Sequence, residues 1–246
     1  MKLKPPYPRP PIQESVIHLT FSGTATQDEL TKLAGSLTNT YPLQDLLTNA
    51  IVSVDTTGGN VKFEQRLSGH RLRNTEGTSI VLLMQNSFAV SKLPPYPGWE
   101  GLRDEAKAVW SDWRRRVSAT TPSRIGVRYI NRIDVPIDSG TAIEVDDYLN
   151  FSPRIPNFSE RPMNGMFIQV TVPTRSEHWY ASVGSTILSP PPLIGNVSLV
   201  LDVDVFRTAE IPGREAELWA CVDSARKIKN DIFEASITDK SRELFQ

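Results

Sequence analysis

From Arg124 to Val135 the chain reads RIGVRYINRIDV, and its side chains sort into two sets. Successive residues of a β-strand point to opposite faces of the sheet. One face of this stretch carries Ile125, Val127, Tyr129, Asn131, Ile133 and Val135, and the other carries Arg124, Gly126, Arg128, Ile130, Arg132 and Asp134. A helical period would scatter both sets. The alternation predicts a strand whose apolar face meets helices and whose cationic face meets solvent or a partner. The chain must then build a sheet with two chemically different sides.

The rest of the sequence supplies neighbours for that strand. Residues 15–22 alternate, with Ile17, Leu19 and Phe21 on one face. Residues 50–55 form a strand, the paired glycines of TTGGN (56–60) suit a hairpin turn, and 61–67 continue with Val61, Phe63, Gln65 and Leu67 inward. NTEG (74–77) marks a second turn, and the apolar run at 78–93 is expected to be one long central strand. Further strands are expected at 167–173, 179–188 and 196–206.

Helical signals fall between these strands. Thr26 with Glu29 three residues later has the spacing of a capping box, followed by a buried stripe of Leu30, Leu33, Ala34 and Leu37. Trp99, Leu102, Ala106, Val109, Trp110, Trp113 and Val117 recur at steps of three and four, the mark of a helix laid across a sheet. Residues 145–149 (VDDYL) suit a short helical turn. A last helix begins near Gly213, its face marked by Leu218, Cys221, Val222, Ala225, Ile228, Ile232 and Phe233.

Element order then divides the chain. A proline-rich arm (1–14) precedes two α+β halves, 15–121 and 122–246. Each half runs strand, helical segment, three strands, long helix. This order predicts a duplicated unit and a curved, saddle-like antiparallel sheet with the long helices on one face. The arm holds two overlapping PxxP spacings, Pro5–Pro8 and Pro8–Pro11, which suit either a polyproline ligand or an extended segment laid on the domain; the second is favoured.

Composition narrows the function. With 27 basic and 28 acidic residues among 246, the formal charge is -1, so no global basicity points to a nucleic-acid backbone. A single cysteine, Cys221, excludes an internal disulfide and a cysteine-rich zinc site. The opening residues lack the apolar run of a secretory signal, and no stretch reaches the ~18 apolar residues of a membrane helix. A cytoplasmic protein without membrane contact is expected.

Chemistry-bearing motifs are sparse. His18, His70 and His178 are widely spaced and make no HxH or HxxxH pair. No nucleophile elbow, phosphate loop or dinucleotide fingerprint occurs. No catalytic residue, metal ligand or cofactor is assigned. The binding candidates are Arg124, Arg128 and Arg132 with Asp202 and Asp204. Arginines two apart on a strand suit bidentate capture of carboxylate or phosphate. Asp202 and Asp204 share one face of the strand at 196–206 and would either neutralise those arginines across the sheet or hold a cation. The expectation is that 124–135 lies antiparallel beside 196–206, with Arg128 or Arg132 meeting Asp202 or Asp204.

The blocks PPIQE (10–14), KLPPYPGWEGLRDEA (92–106), RIGVRYINRIDVP (124–136) and KNDIFEASITDKSRELF (229–245) together resemble a sporadically distributed family of uncharacterised bacterial proteins of similar length. The resemblance spans nearly the whole chain and brings no catalytic motif with it. The family's patchy distribution is like that of mobile defence and toxin–antitoxin cargo. Two functions are therefore expected. One is a non-catalytic protein-interaction module, antitoxin-like or an anti-phage defence accessory subunit, whose partner is another protein encoded nearby. The alternative is a sensor that binds an anionic small molecule or nucleic acid on the arginine-bearing sheet face, with nucleic acid not favoured.

Overall fold

The computed structural model describes residues 7–54, 61–137, 143–154, 156 and 163–246, with the backbone alone described at 50–54 and 61–66. The chain is mixed α and β. Nine strands form an open antiparallel sheet: β1 (Ile12–Ser22), β2 (Leu43–Val54), β3 (Val61–Arg73), β4 (Ser79–Met84), β5 (Ser87–Lys92), β6 (Thr121–Pro136), β7 (Phe167–Pro173), β8 (Tyr180–Leu188) and β9 (Asn196–Arg207). Their order across the sheet is β2-β3-β4-β5-β1-β6-β9-β8-β7. The helices are α1 (Gln27–Ser36), α2 (Trp99–Arg116), α3 (Glu215–Ser236) and α4 (Asp239–Glu243), with one 3-10 turn at Val145–Asp147. No helix of the described residues is long and apolar enough to cross a membrane.

The contacts gather into two compact units. One comprises Val16–Ile125 and Ile211–Gly213, and the other the N-terminal residues through Ser15 with Gly126–Glu210 and Arg214–Gln246. In the first, Thr26 caps α1 as its spacing implies. Its hydroxyl accepts from the Glu29 amide and the Glu29 carboxylate accepts from the Thr26 amide, while Leu30, Leu33, Ala34 and Leu37 are buried. Glu29 also accepts from the Ser118 amide at 2.9 Å. These backbone donors hold its carboxyl down at about 2.

The aromatic residues of α2 form the heart of that unit. Trp110 lies 5.5 Å from the Phe21 ring and nearly parallel to it, Trp113 lies 4.8 Å away, and Phe88 of β5 closes the cluster. Trp113 is fully buried, and its indole N–H donates to the Ala119 carbonyl at 2.7 Å. The tryptophan stripe is packing, as its helical spacing implied.

The apolar run at 78–93 is not one strand. It folds as the β4–β5 hairpin, with Met84 opposite Ser87 across the polar pair Gln85–Asn86. One strand of that length would span about 50 Å. The turn instead puts two half-length strands side by side, and its carbonyls are used: Asn86 accepts from the Phe21 amide and Gln85 from the Ala25 amide. The first half therefore has four strands after α1 where three were expected. The NTEG turn is present, with Gly77 at φ +69°. The TTGGN segment lies outside the described residues, as do the inward positions assigned to Val61, Phe63 and Gln65; β2 and β3 on either side pair antiparallel with Val54 opposite Val61.

In the other unit α3 packs on β9. Its buried residues are Leu218, Trp219, Val222, Ala225, Lys229, Phe233 and Ser236. This corrects the expected stripe: Cys221, Ile228 and Ile232 are half-buried, and Lys229 and Trp219 occupy the seam. The arm, described from Tyr7, contains no helix. It is tied to the C-terminal helices: the Tyr7 hydroxyl donates to Glu234 at 2.8 Å, its ring meets Phe245 edge-on at 5.2 Å, and the Arg9 amide donates to the Phe245 carbonyl at 3.0 Å. The Pro11 carbonyl then accepts from the Arg132 amide, so the arm runs directly into the sheet.

Candidate functional site

The faces of β6 are as the alternation requires. Ile125, Val127, Tyr129, Asn131, Ile133 and Val135 are buried, while Arg128 is exposed and Arg132 and Asp134 half-exposed. Asn131 is polar in an apolar row because its amide reaches the Leu201 carbonyl of β9 at 3.1 Å. On the opposite face Arg128 grips Asp202 with two nitrogens: Nε lies 2.9 and 3.1 Å from the two carboxylate oxygens, and Nη2 lies 2.5 Å from one of them. Asp134 accepts from the Ser198 hydroxyl at 2.6 Å. Residue numbers rise on β6 as their partners fall on β9, which is the antiparallel neighbourhood expected for these strands.

The candidate residues separate into distinct arrangements. Arg128 is held by Asp202, with Asp204 and Glu14 adding negative field; all three keep the guanidinium's pKa raised. Arg132 pairs with Asp134 of its own strand at 3.0 Å and not with Asp202. Arg124 belongs to the other compact unit, where it approaches His18 Nδ1 at 3.2 Å. Burial, aided by Arg124, holds His18 down at about 4, so that ring is neutral at physiological pH. An arginine row legible in sequence is thus, at Arg128 and Arg132, a set of strand-to-strand and same-strand ion pairs.

Two polar constellations escaped sequence reasoning. Glu105 of α2 collects the Tyr41 hydroxyl at 2.5 Å together with Ser79 and Lys92, joining helix to hairpin from positions far apart in the chain. All three donors end on this one carboxylate. Lys229 of α3 places its ammonium 3.7 Å from the centre of the Tyr129 ring. Burial, with Arg226 nearby, pulls its pKa down to about 7. Among the described residues no group of three or more His, Cys, Asp or Glu side chains comes together to hold a metal ion.

The outer strand β7 presents a different surface. It reads FIQVTVP, carries no charge and stands at the end of the sheet order. Phe167 is 78% exposed, Val170 39% and Val172 45%. Val170 and Val172 lie opposite Val183 and Ala181 of β8, which are buried, so the packed layer that covers β8 stops short of β7.

The hydrogen-bond parity of β7 follows from its two ends. The Ile187 amide donates to the Met166 carbonyl, and the Thr174 amide donates to the Trp179 carbonyl. In an antiparallel ladder bonded positions alternate. With the β7–β8 register fixed, Ile168, Val170 and Val172 turn their backbone groups to β8, and Phe167, Gln169 and Thr171 turn theirs outward. Among the described residues no strand takes up that outward row. Nearby, Leu193 and Ile194 are 49% and 97% exposed in the loop that leaves β8 at the end where Phe167 begins β7.

Comparison of the chain with protein-family models and with curated proteins finds no match.

Proposed function

We propose that this chain is a non-catalytic protein-interaction module that binds its partner by strand addition to β7. The observation that carries this reading is the outward row of backbone donors and acceptors on an uncharged strand with exposed apolar side chains. Unpaired strand edges are templates for another extended chain, and folds that do not use them blunt them with charge, shortness or cover. Here β7 has neither lysine nor glutamate, and only Pro173 at its end blocks continuation. The resemblance read from the sequence supports taking such a module as antitoxin-like or as an anti-phage defence accessory subunit. The single, half-buried thiol of Cys221, raised by burial, suits the cytoplasm.

The alternative, an anion sensor on the arginine face, has less support. An anion at Arg128 has to displace Asp202 from a two-nitrogen grip. We read the fold as a diverged duplication of the saddle type. Its support is the strand order, in which the first strand of each half stands beside that half's last, β1 by β5 and β6 by β9.

The test uses proline on the edge. Thr171→Pro deletes an outward donor and takes no bond from β8, whereas Val172→Pro deletes a β8 bond. Tagged wild-type chain recovered from its native host should bring down a partner in stoichiometric amount, and Thr171→Pro should lose it while melting within a few degrees of wild type. Equal recovery by wild type and Thr171→Pro rules the edge out.

A further inference from the structure

We infer that the strand added to β7 is β7 of a second copy of this chain. The inference rests on the interaction reading above and names its partner. The argument is the symmetry of the strand itself. Turned about a two-fold axis through Val170, FIQVTVP pairs antiparallel with its own copy: Phe167 meets the partner's Pro173, Ile168 meets the partner's Val172, Gln169 meets the partner's Thr171, and Val170 meets the partner's Val170. Apolar faces apolar, amide faces hydroxyl, and no charge opposes a like charge.

The backbone agrees with the same axis. Gln169 and Thr171 both turn their N–H and C=O outward, so each pairs with the other across the axis and exchanges two hydrogen bonds. The Phe167 N–H donates to the carbonyl of the partner's Pro173. Proline has no N–H to return, and it sits at the end of the ladder, where that loss costs one bond and does not break the run. An axis one residue away would set Gln169 against itself and lose the Phe167–Pro173 pairing. The surfaces add to this. Val170 and Val172, left uncovered by the packed layer behind β8, are screened when the sheet continues into a copy. Phe167 and Ile194, at one end of the edge, extend the apolar contact beyond the ladder.

Sedimentation over a concentration series tests the pairing in the full chain. Wild type is expected to move from monomer to dimer as concentration rises. The double variant Q169K/T171K sets lysine against lysine at both symmetry-related pairs and is expected to weaken self-association by roughly tenfold or more. Q169K/T171E carries the same lysine but sets it against glutamate and is expected to dimerise as wild type does. Both positions are exposed surface sites, and a thermal melt of each variant confirms that the monomer folds. A wild type that stays monomeric throughout overturns the second copy as partner; loss of the host partner on Thr171→Pro would then still support the edge. A dimer that survives Q169K/T171K unchanged overturns the placement at β7.

Discussion

Arg128 and Asp202 face each other across β6 and β9 in a two-nitrogen ion pair, with Nε 2.9 Å from Oδ1 and Nη2 2.5 Å from Oδ2. The arginine side chain is 48% exposed and the aspartate 27%, so water screens much of their attraction. A double-mutant cycle on Arg128→Ala and Asp202→Ala should return a coupling of about 0.5–1 kcal/mol in urea unfolding. The same cycle on Arg132 and Asp202 should return nothing measurable, because Arg132 is engaged by Asp134. The pair sets the register of the two strands more than it holds the fold together.

Trp113 carries more weight. It is fully buried against Phe21 and Phe88 and satisfies the Ala119 carbonyl. Trp113→Ala should cost about 3–5 kcal/mol, the range for deleting a large core aromatic. Trp113→Phe keeps most of the packing and should recover a large part of that loss. Denaturant unfolding followed by circular dichroism distinguishes the two, and equal losses would mean that the hydrogen bond outweighs the packing.

Lys229 makes stability depend on alkaline pH. Its folded pKa is about 7 against an ordinary 10.5, lowered by burial and by Arg226 and partly restored by Glu234. Below pH 7 both folded and unfolded chains carry the proton, and the buried charge is unfavourable throughout. Between pH 7 and 10.5 only the unfolded chain binds it, so this residue's contribution to stability rises with pH, toward a limiting slope of about 1.4 kcal/mol per unit. Lys229→Met should stabilise the protein at pH 6 and flatten that rise. A variant with the same pH slope as wild type would show that another group titrates there.

The arm is part of the fold at its C-terminal end. Tyr7→Phe removes the hydroxyl that donates to Glu234 and should cost about 1 kcal/mol. Tyr7→Ala also removes the ring from Phe245 and should cost more. Thermal melts of the two variants check the order; a Tyr7→Ala protein as stable as wild type would mean that the arm contributes nothing to stability.

Period-two patterning made β6 and β9 legible in the sequence, down to which faces meet and that an arginine on one would find Asp202 or Asp204 on the other. Which arginine it was depended on stagger, which alternation does not encode. The β4–β5 hairpin was hidden because Gln85–Asn86 is a weak turn signal inside an apolar run, with neither glycine nor proline to mark it. Lys229 was missing from the expected stripe because charged residues are seldom buried, and the Tyr129 and Phe233 rings beside its ammonium are not legible from the helical period alone. The Glu105 cluster joins Tyr41, Ser79 and Lys92 across separations no local pattern records. The open edge of β7 is a property of strand order, and strand order is not written in FIQVTVP.

That open edge is the central claim, and amide hydrogen exchange on β7 in dilute protein tests it most directly. Ile168 and Val170 donate toward β8 and should exchange slowly, while Phe167, Gln169 and Thr171 between them should exchange fast and then slow as concentration rises and a strand is added. Slow exchange at all of these positions at every dilution would mean that the edge is covered within the chain itself, and it would contradict both the strand-addition reading and the second copy.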